Sequence, residues 1–221
     1  MTSTTDTNLC LSCGKPTAGQ LACGGCGVAT SPPPVEGEGD YFSLFGLPRR
    51  LALDPGDLAA RYYALSRRFH PDLWQDRPPA ERQASVRATA LVNSAYRTLK
   101  DPVRRGLYWL SLHGESLGRD NERVPPELAS LVFDVQEKLE ELRAGRAGND
   151  GAAAEREVRE IREDLRARLA AFGTRLENNF RRDDAAGSAG LAETKAILSE
   201  LHYVRTLLRD VDKELEPQWS A

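Results

Sequence analysis

Four cysteines give this sequence its clearest capacity for metal chemistry. They form two Cys-x-x-Cys pairs with nine residues between them: Cys10, Cys13, Cys23 and Cys26. Each pair can direct two thiolates at one tetrahedral ion, and the glycine after each pair lets backbone N–H groups approach the sulfur atoms. Zinc is the predicted occupant, and iron in the same geometry or a metal-free dithiol pair are the alternatives. Because the segment has few apolar side chains, a bound ion must supply its folding energy.

The tripeptide His70-Pro71-Asp72 places an imidazole and a carboxylate on either side of a residue that stops helices. Proline disfavours helical backbone at the residue before it, so we expect a helix to end at His70 and a loop to follow. On its own, such a tripeptide indicates only an ordinary helix end. Its meaning therefore depends on the elements that position it.

The stretch before the tripeptide is predicted to be a helix from Asp54 to Phe69. Asp54 suits the N-cap, and Pro55 suits the first helical position, where its missing N–H has no consequence. Apolar residues then recur at helical spacing: Leu58, Tyr62, Leu65 and Phe69. Three arginines lie off this stripe and are expected to face water: Arg61, Arg67 and Arg68. The helix should thus present an exposed His-Pro-Asp beside a cationic face.

The surrounding sequence resembles the J-domain, the module that stimulates the ATPase of DnaK-type chaperones. The resemblance rests on segments in J-domain order: DYFSLFGL at 40–47, NSAY at 93–96, Asp101-Pro102, and then Arg105 and Tyr108. DYFSLFGL and the LSLHG at 110–114 are similar to the HscB family, the J-proteins of iron–sulfur cluster assembly. This resemblance extends from about Asp40 to the C-terminus. Some HscB relatives also carry a tetracysteine module before the J-domain.

The predicted fold is all-α: a J-domain helical hairpin and a C-terminal antiparallel three-helix bundle, preceded by a small tetracysteine metal-binding ribbon. The predicted parts are a metal-binding module at 1–29, a Pro/Gly linker at 30–39, the J-domain at 40–118 and the bundle at 119–221. In the J-domain, a third helix from about Ala80 to Leu99 should pack antiparallel to the second. Its predicted core stripe includes Val86, Ala90, Leu91, Ala95 and Leu99.

The bundle is predicted from three apolar stripes of helical period. Breaks rich in Gly, Asn and Asp separate them at 145–151 and 183–190. The stripes begin at Leu128, Val158 and Leu191. Short breaks of this kind favour antiparallel neighbours.

The resemblance implies a chaperone contact and a client contact. The tripeptide would dock on a DnaK/HscA-type ATPase chaperone, with Arg61, Arg67 and Arg68 meeting its acidic surface. In HscB, one bundle face contacts the cluster scaffold IscU, and five residues match it here: Phe133, Asp134, Glu137, Glu141 and Tyr203. The alternative is that the aromatic residues flank the core and the acids form a solvated surface.

This sequence departs from the family at three positions. Ala129 and Ser130 are small where the family tends to have larger apolar residues, which leaves the strength of client binding and the identity of the client open. Leu73 replaces the lysine that usually follows His-Pro-Asp, which removes one positive charge.

Composition limits the possible function classes. Of 221 residues, 40% are hydrophobic and 29% charged, and no apolar run approaches the ~20 residues of a membrane span. The first residues resemble neither a signal peptide nor a transit peptide, so we expect a cytoplasmic protein. No phosphate loop, nucleophile elbow or metal-hydrolase motif is present, and His113 and His202 have no partner motif, so we do not expect an enzyme.

The charges are unevenly distributed. Residues 41–118 have twelve bases and seven acids, a net charge of +5, while residues 119–221 have a net charge of −5. Opposite charges suggest two different partners. Nucleic acid is disfavoured because the basic excess is modest and no recognition motif accompanies it. Two alternatives to an HscB-like function remain: a J-protein for another client, and a metal-dependent nucleic-acid-binding or sensor protein.

Overall fold

In the computed structural model, the structure is described at residues 9–10, 12–15, 21–27, 40–117, 128–145, 151–186 and 190–216. From Asp40 onward its regular elements are all helices, while the described residues before Asp40 form turns and an isolated β-bridge. The helices in order are α1 (Tyr41–Leu44), α2 (Pro55–Phe69), a 3-10 helix (Pro71–Trp74), α3 (Pro79–Lys100), α4 (Pro102–Leu112), α5 (Ala129–Gly145), α6 (Gly151–Ala186) and α7 (Leu191–Leu215). The predicted fold class is confirmed. None of the described helices is both long and apolar enough to cross a membrane.

The chain forms two compact units, residues 1–105 and 106–221, which divide within α4. The predicted domain boundary at 118–119 and the predicted linker at 30–39 lie outside the described residues. The predicted domain limits therefore stay predictions.

In the first unit, α2 and α3 form the predicted hairpin. Asp54 caps α2, since its Oδ1 accepts a hydrogen bond from the Asp57 N–H at 2.6 Å. Across the hairpin, the Tyr62 and Tyr96 rings stack with centroids 4.0 Å apart, and the Tyr62 hydroxyl lies 3.0 Å from Asn93 Oδ1. Side chains from both helices thus hold the pair together.

The buried face of α3 differs from the predicted stripe. Ala95 and Leu99 are buried as predicted, but Val86 is 56% exposed, Ala90 is exposed and Leu91 is half-buried. The residues that do face the core are Ala84, Ser85, Ala88, Val92, Ala95 and Leu99. The prediction followed the larger side chains, whereas small residues form the N-terminal part of this face and allow close approach to a neighbouring helix.

A glycine sets the end of α4. Gly114 has a φ of +73°, and the Glu115 N–H donates to Leu110 O at 2.9 Å while the Gly114 N–H donates to Ser111 O at 3.1 Å. This pattern is a Schellman motif, which needs a residue with positive φ after the helix. Gly106, in the middle of α4, lies against α7. A Cβ at this position would lie 3.2 Å from Leu198 Cδ1.

The second unit is an antiparallel bundle of α5, α6 and α7. Its core contains Val135, Leu139, Leu142, Val158, Leu165, Phe172, Leu176, Phe180, Leu198, Leu201, Val204 and Val211. Ion pairs between helices lie outside this core, among them Lys138–Glu157, Arg143–Glu214, Arg166–Asp212 and Arg175–Glu200. Of the residues at which the predicted stripes begin, Leu128 and Val158 are buried and Leu191 is half-buried.

One predicted break of the bundle is misplaced. The break was predicted to begin at Asp183, but α6 continues to Ala186. Asp183 is buried, and its carboxylate accepts a hydrogen bond at 2.8 Å from Asn179, which also donates to Thr194 at 3.1 Å. Asp183 therefore belongs to a buried hydrogen-bond network of the bundle and does not end the helix. Gly190 follows with a φ of +56°, and a Cβ there would come within 1.9 Å of Asp183 Oδ2, so this position requires glycine.

Candidate functional sites

The His-Pro-Asp turn lies directly after α2, as predicted. His70 has extended backbone (φ −58°, ψ 127°) and caps the short 3-10 helix that follows. Its Nδ1 accepts a hydrogen bond from the Asp72 N–H at 3.3 Å and lies 3.5 Å from Asp72 Oδ2. The side chains of His70 and Asp72 are 58% and 72% exposed. Both can therefore be reached by a partner protein.

Buried contacts hold the turn from below. The Ser85 and Thr89 hydroxyls of α3 each donate to Phe69 O at 2.8 Å, and we call this pair the hydroxyl clasp. The Trp74 indole N–H, in a nearly buried side chain, donates to Arg68 O at 3.3 Å. The roles of Ser85, Thr89 and Trp74 were not predicted from the sequence. A serine and a threonine four residues apart on a helix that should pack against α2 were the available signal.

The three arginines of the predicted cationic face have different surroundings. Arg67 and Arg68 are exposed in the last turn of α2, next to the His-Pro-Asp turn. Arg61 is half-buried, and it does not simply face water as predicted. Its Nη1 donates to Phe45 O at 2.9 Å and to Gly46 O at 3.1 Å, while its Nε donates to Asp57 at 2.9 Å. Arg61 therefore already links α2 to the end of α1.

The residue after the tripeptide, Leu73, is 68% exposed. It occupies the 3-10 helix between exposed Asp72 and buried Trp74. The departure from lysine noted in the sequence thus places an apolar surface where a positive charge was expected.

The predicted client face lies on α5 and α7. Phe133 is 68% exposed, Asp134, Glu137 and Glu141 are exposed, and Tyr203 is half-buried. Alternate helices of an antiparallel bundle run in the same direction. Phe133 and Tyr203 stand ten and eleven residues before the Arg143–Glu214 ion pair that links α5 to α7. This register favours a similar level for the two aromatic residues along the bundle.

The acids of this face are not equivalent. The Lys138 Nζ lies 2.8 Å from a carboxylate oxygen of Glu141 and 2.8 Å from one of Glu157. Hydrogen bonds to these carboxylates raise the pKa of the Lys138 ammonium, and the bond to Glu141 has the larger effect. Asp134 and Glu137 have no ion pair within the part of the chain that the structure describes. Ala129 and Ser130 are exposed at the start of α5. Among the described residues, the two acids of this face without an ion pair are thus those one and four positions after Phe133 on α5.

The four cysteines come together as predicted. Their Sγ atoms all lie within 4.8 Å of one another, and the pairs Cys10–Cys26 and Cys13–Cys23 have Sγ–Sγ distances of 3.5 Å. A tetrahedral ion with Zn–S bonds of about 2.3 Å needs sulfur atoms about 3.8 Å apart. The cluster is therefore close to the size that a metal ion requires.

The backbone around the cysteines also fits a thiolate site. The N–H groups of Gly14 and Gly27, both with positive φ, donate at 2.8 Å to the carbonyls of Cys10 and Cys23, so the two knuckles have the same geometry. Backbone N–H groups of Cys26 and Gly25 lower the pKa of the Cys23 thiol. The pKa of the Cys13 thiol is raised despite a backbone hydrogen bond at Lys15, because its sulfur is paired with that of Cys23. The four cysteines can hold a metal ion.

Comparison with known proteins identifies the fold. No protein-family model matches the sequence. The structure is similar to that of the human co-chaperone protein HscB, with 30% sequence identity, a TM-score of 0.65, and coverage of 93% of this chain and 98% of the human one. It is also similar to the chaperone HscB from Vibrio cholerae, with 27% identity, a TM-score of 0.54, and coverage of 79% and 96% of the two chains. The chain belongs to the HscB family of J-domain co-chaperones.

Proposed function

We propose that this protein acts in iron–sulfur cluster assembly, where it delivers an IscU-like scaffold to a DnaK/HscA-type chaperone and stimulates the ATPase of that chaperone. The observation that carries the proposal is the His-Pro-Asp turn, in which two exposed polar side chains are mounted on buried anchors. In this proposal the protein is not an enzyme. It changes the chemistry of another protein by binding to it.

The chaperone contact would use charge and shape together. The Asp72 carboxylate is exposed and can accept a bidentate hydrogen bond from an arginine of the chaperone. Arg67 and Arg68 can meet an acidic surface beside it, because they are exposed in the same turn of α2. Arg61 would contribute less than these two, since three acceptors within the chain already bind its guanidinium.

The client contact would use the α5–α7 face. An exposed Phe133 beside Asp134 and Glu137, two acids without an ion pair among the described residues, offers an apolar anchor with a negative rim. Ala129 and Ser130 add little apolar area, so we expect a micromolar affinity, or about −7 to −8 kcal/mol, which suits a transient transfer.

Zinc is the proposed occupant of the four-cysteine cluster. Four thiolates in a closed set are typical of structural zinc, which supplies folding energy to modules that lack a core. Cys10, Cys13, Cys23 and Cys26 would hold the ion, and the glycine N–H groups would orient the knuckles around it.

A J-protein for another client is the second candidate function, favoured by the exposed Ala129 and Ser130. Affinity purification from a native lysate with wild type and Phe133→Ala distinguishes the two. An IscU-like scaffold that is lost with Phe133→Ala supports the first proposal. A different client lost in the same way supports the second.

The chaperone contact is tested by His70→Gln and Asp72→Asn. Because both side chains are exposed, we expect each variant to keep its unfolding free energy within ~0.5 kcal/mol of wild type while it loses stimulation of the chaperone ATPase. Single-turnover ATP hydrolysis by the organism's own DnaK-type chaperones, together with thermal unfolding, measures both.

Asp76→Asn is the matched control, since it makes the same change at an exposed aspartate just after the 3-10 helix. It should stimulate like wild type. The proposal would be wrong if wild type stimulated none of these chaperones, or if Asp76→Asn lost as much activity as Asp72→Asn.

A further inference from the structure

We infer that Ser85 and Thr89, the hydroxyl clasp, are positioning residues for chaperone docking. They orient the peptide group between Phe69 and His70, where the chain leaves α2. This inference rests on the proposed function and assigns a role to two side chains that do not themselves lie at the exposed turn. Its basis is a single buried carbonyl that accepts hydrogen bonds from two side chains of another helix.

The carbonyl of Phe69 has lost its helical partner. The last carbonyls of a helix have no N–H four residues ahead within the helix to accept from. Here the N–H of Leu73, which would serve Phe69 in a longer helix, donates instead to His70 O at 3.0 Å. Since Phe69 is buried, its carbonyl needs donors from the protein.

The clasp supplies these donors in an unusual way. Serine and threonine within helices commonly bond to a carbonyl of their own preceding turn. Both hydroxyls of α3 reach across to α2 instead, each at 2.8 Å from the same oxygen. Ser85 is fully buried and Thr89 half-buried, so water cannot easily replace them both. A carbonyl oxygen has two lone pairs, so it can accept from both donors, and two donors restrict the orientation of the C=O bond more than one would.

Restricting this carbonyl also restricts His70. The peptide group is planar, so the C=O of Phe69 lies in one plane with the nitrogen and Cα of His70. The other end of the tripeptide is held by the Trp74 indole, which donates to Arg68 O at 3.3 Å. His70 and Asp72 therefore lie between two buried anchors, and their exposed side chains start from a restricted backbone.

Such restriction matters for binding because a partner need not order the turn. Freezing a mobile segment opposes association, and a preorganised segment avoids that cost. Loss of the clasp should weaken docking while His70, Asp72, Arg67 and Arg68 are all still present. The hydroxyl of Thr89 is the better one to remove, because its side chain is only half-buried.

The test compares Thr89→Val, which keeps the shape and removes the donor, with Thr89→Ser, which keeps the donor. We expect Thr89→Val to raise the concentration for half-maximal ATPase stimulation by up to about fivefold, because the preorganisation lost with one intramolecular hydrogen bond cannot exceed the contribution of that bond. It should also lower the backbone NMR order parameters of His70 and Asp72. Thr89→Ser should match wild type in both measurements.

The second variant, Ser85→Ala with Thr89→Val, should show a larger effect if it folds. A merely structural role would lower the melting temperature of Thr89→Val but leave stimulation and the order parameters unchanged well below that temperature, and this result would overturn the inference. If wild type itself stimulated no chaperone, the proposed function would fail, while the order parameters of Thr89→Val and Thr89→Ser would still decide whether the clasp orders the turn.

Discussion

Glu137 and Glu141 stand one turn apart on α5, yet their surroundings differ. Glu141 shares Lys138 with Glu157, whereas Glu137 has no ion pair among the described residues. A compensated carboxylate contributes little to the field outside the protein, because the adjacent ammonium opposes it. The two residues should therefore contribute unequally to the attraction of a basic partner.

This difference gives a prediction at the scale of single residues. Glu137→Gln should slow association with the scaffold by about two- to threefold at low salt, and this loss should shrink as salt is added. Glu141→Gln should change the rate less, and each change should be worth under ~1 kcal/mol in affinity. Stopped-flow association rates at several ionic strengths measure the effect.

Glu160→Gln is the control, since it removes one exposed acid from α6. If all three variants slowed association equally, net charge alone would matter, and the distinction between the two α5 acids would be wrong.

At this scale, the sequence predicts which side chains are exposed or grouped better than it predicts their hydrogen-bond partners. The exposed Phe133 and the four cysteines follow from spacing and helical period. The contacts of Arg61 with Phe45 and Gly46, and those of the clasp with Phe69, join residues 15 to 20 positions apart in the chain. Local spacing carries no information about such pairs, because they depend on how the helices pack.

At the scale of elements, predictions succeed where local chemistry decides. Capping sets the start of α2, and Pro71 sets its end. Two predictions failed because tertiary packing prevailed. The buried face of α3 begins with small residues, and α6 continues past Asp183 because Asn179 satisfies the buried carboxylate.

The metal-binding module gives a prediction about one element. With few apolar residues, its fold should depend on the ion, so chelation should unfold residues 10–27 and leave the helices intact. Elemental analysis of anaerobically prepared protein should find about one metal ion per chain, with zinc as the expected metal. The far-ultraviolet circular dichroism of the helices should be nearly unchanged after chelation.

Serine replacement of Cys13 and Cys26, the two exposed cysteines, should reproduce the effect of chelation without a chelator. A metal content near zero in the anaerobic wild type would contradict the proposal of a metal site. Iron in place of zinc would leave the geometry valid and change only the proposed metal.

At the scale of the whole molecule, the two proposed contacts lie on different compact units of one chain. The His-Pro-Asp turn belongs to residues 1–105, and the α5–α7 face belongs to residues 106–221. A chain that holds a scaffold and a chaperone together raises their effective concentration for one another. Binding of the scaffold should therefore promote the encounter with the chaperone.

The last prediction follows from this coupling. With saturating IscU-like scaffold, wild type should reach half-maximal ATPase stimulation at a concentration several-fold lower than without it, as expected for a linked second contact. Phe133→Ala should lose this gain but keep the stimulation seen without scaffold, because its turn is intact. Asp72→Asn should lose stimulation under both conditions.

Leu107→Ala is the control, because it truncates another exposed apolar side chain, on α4, and it should behave like wild type. A scaffold effect that survived in Phe133→Ala would exclude this residue as the anchor, because truncation of a central aromatic anchor commonly costs ~2 kcal/mol or more of binding energy.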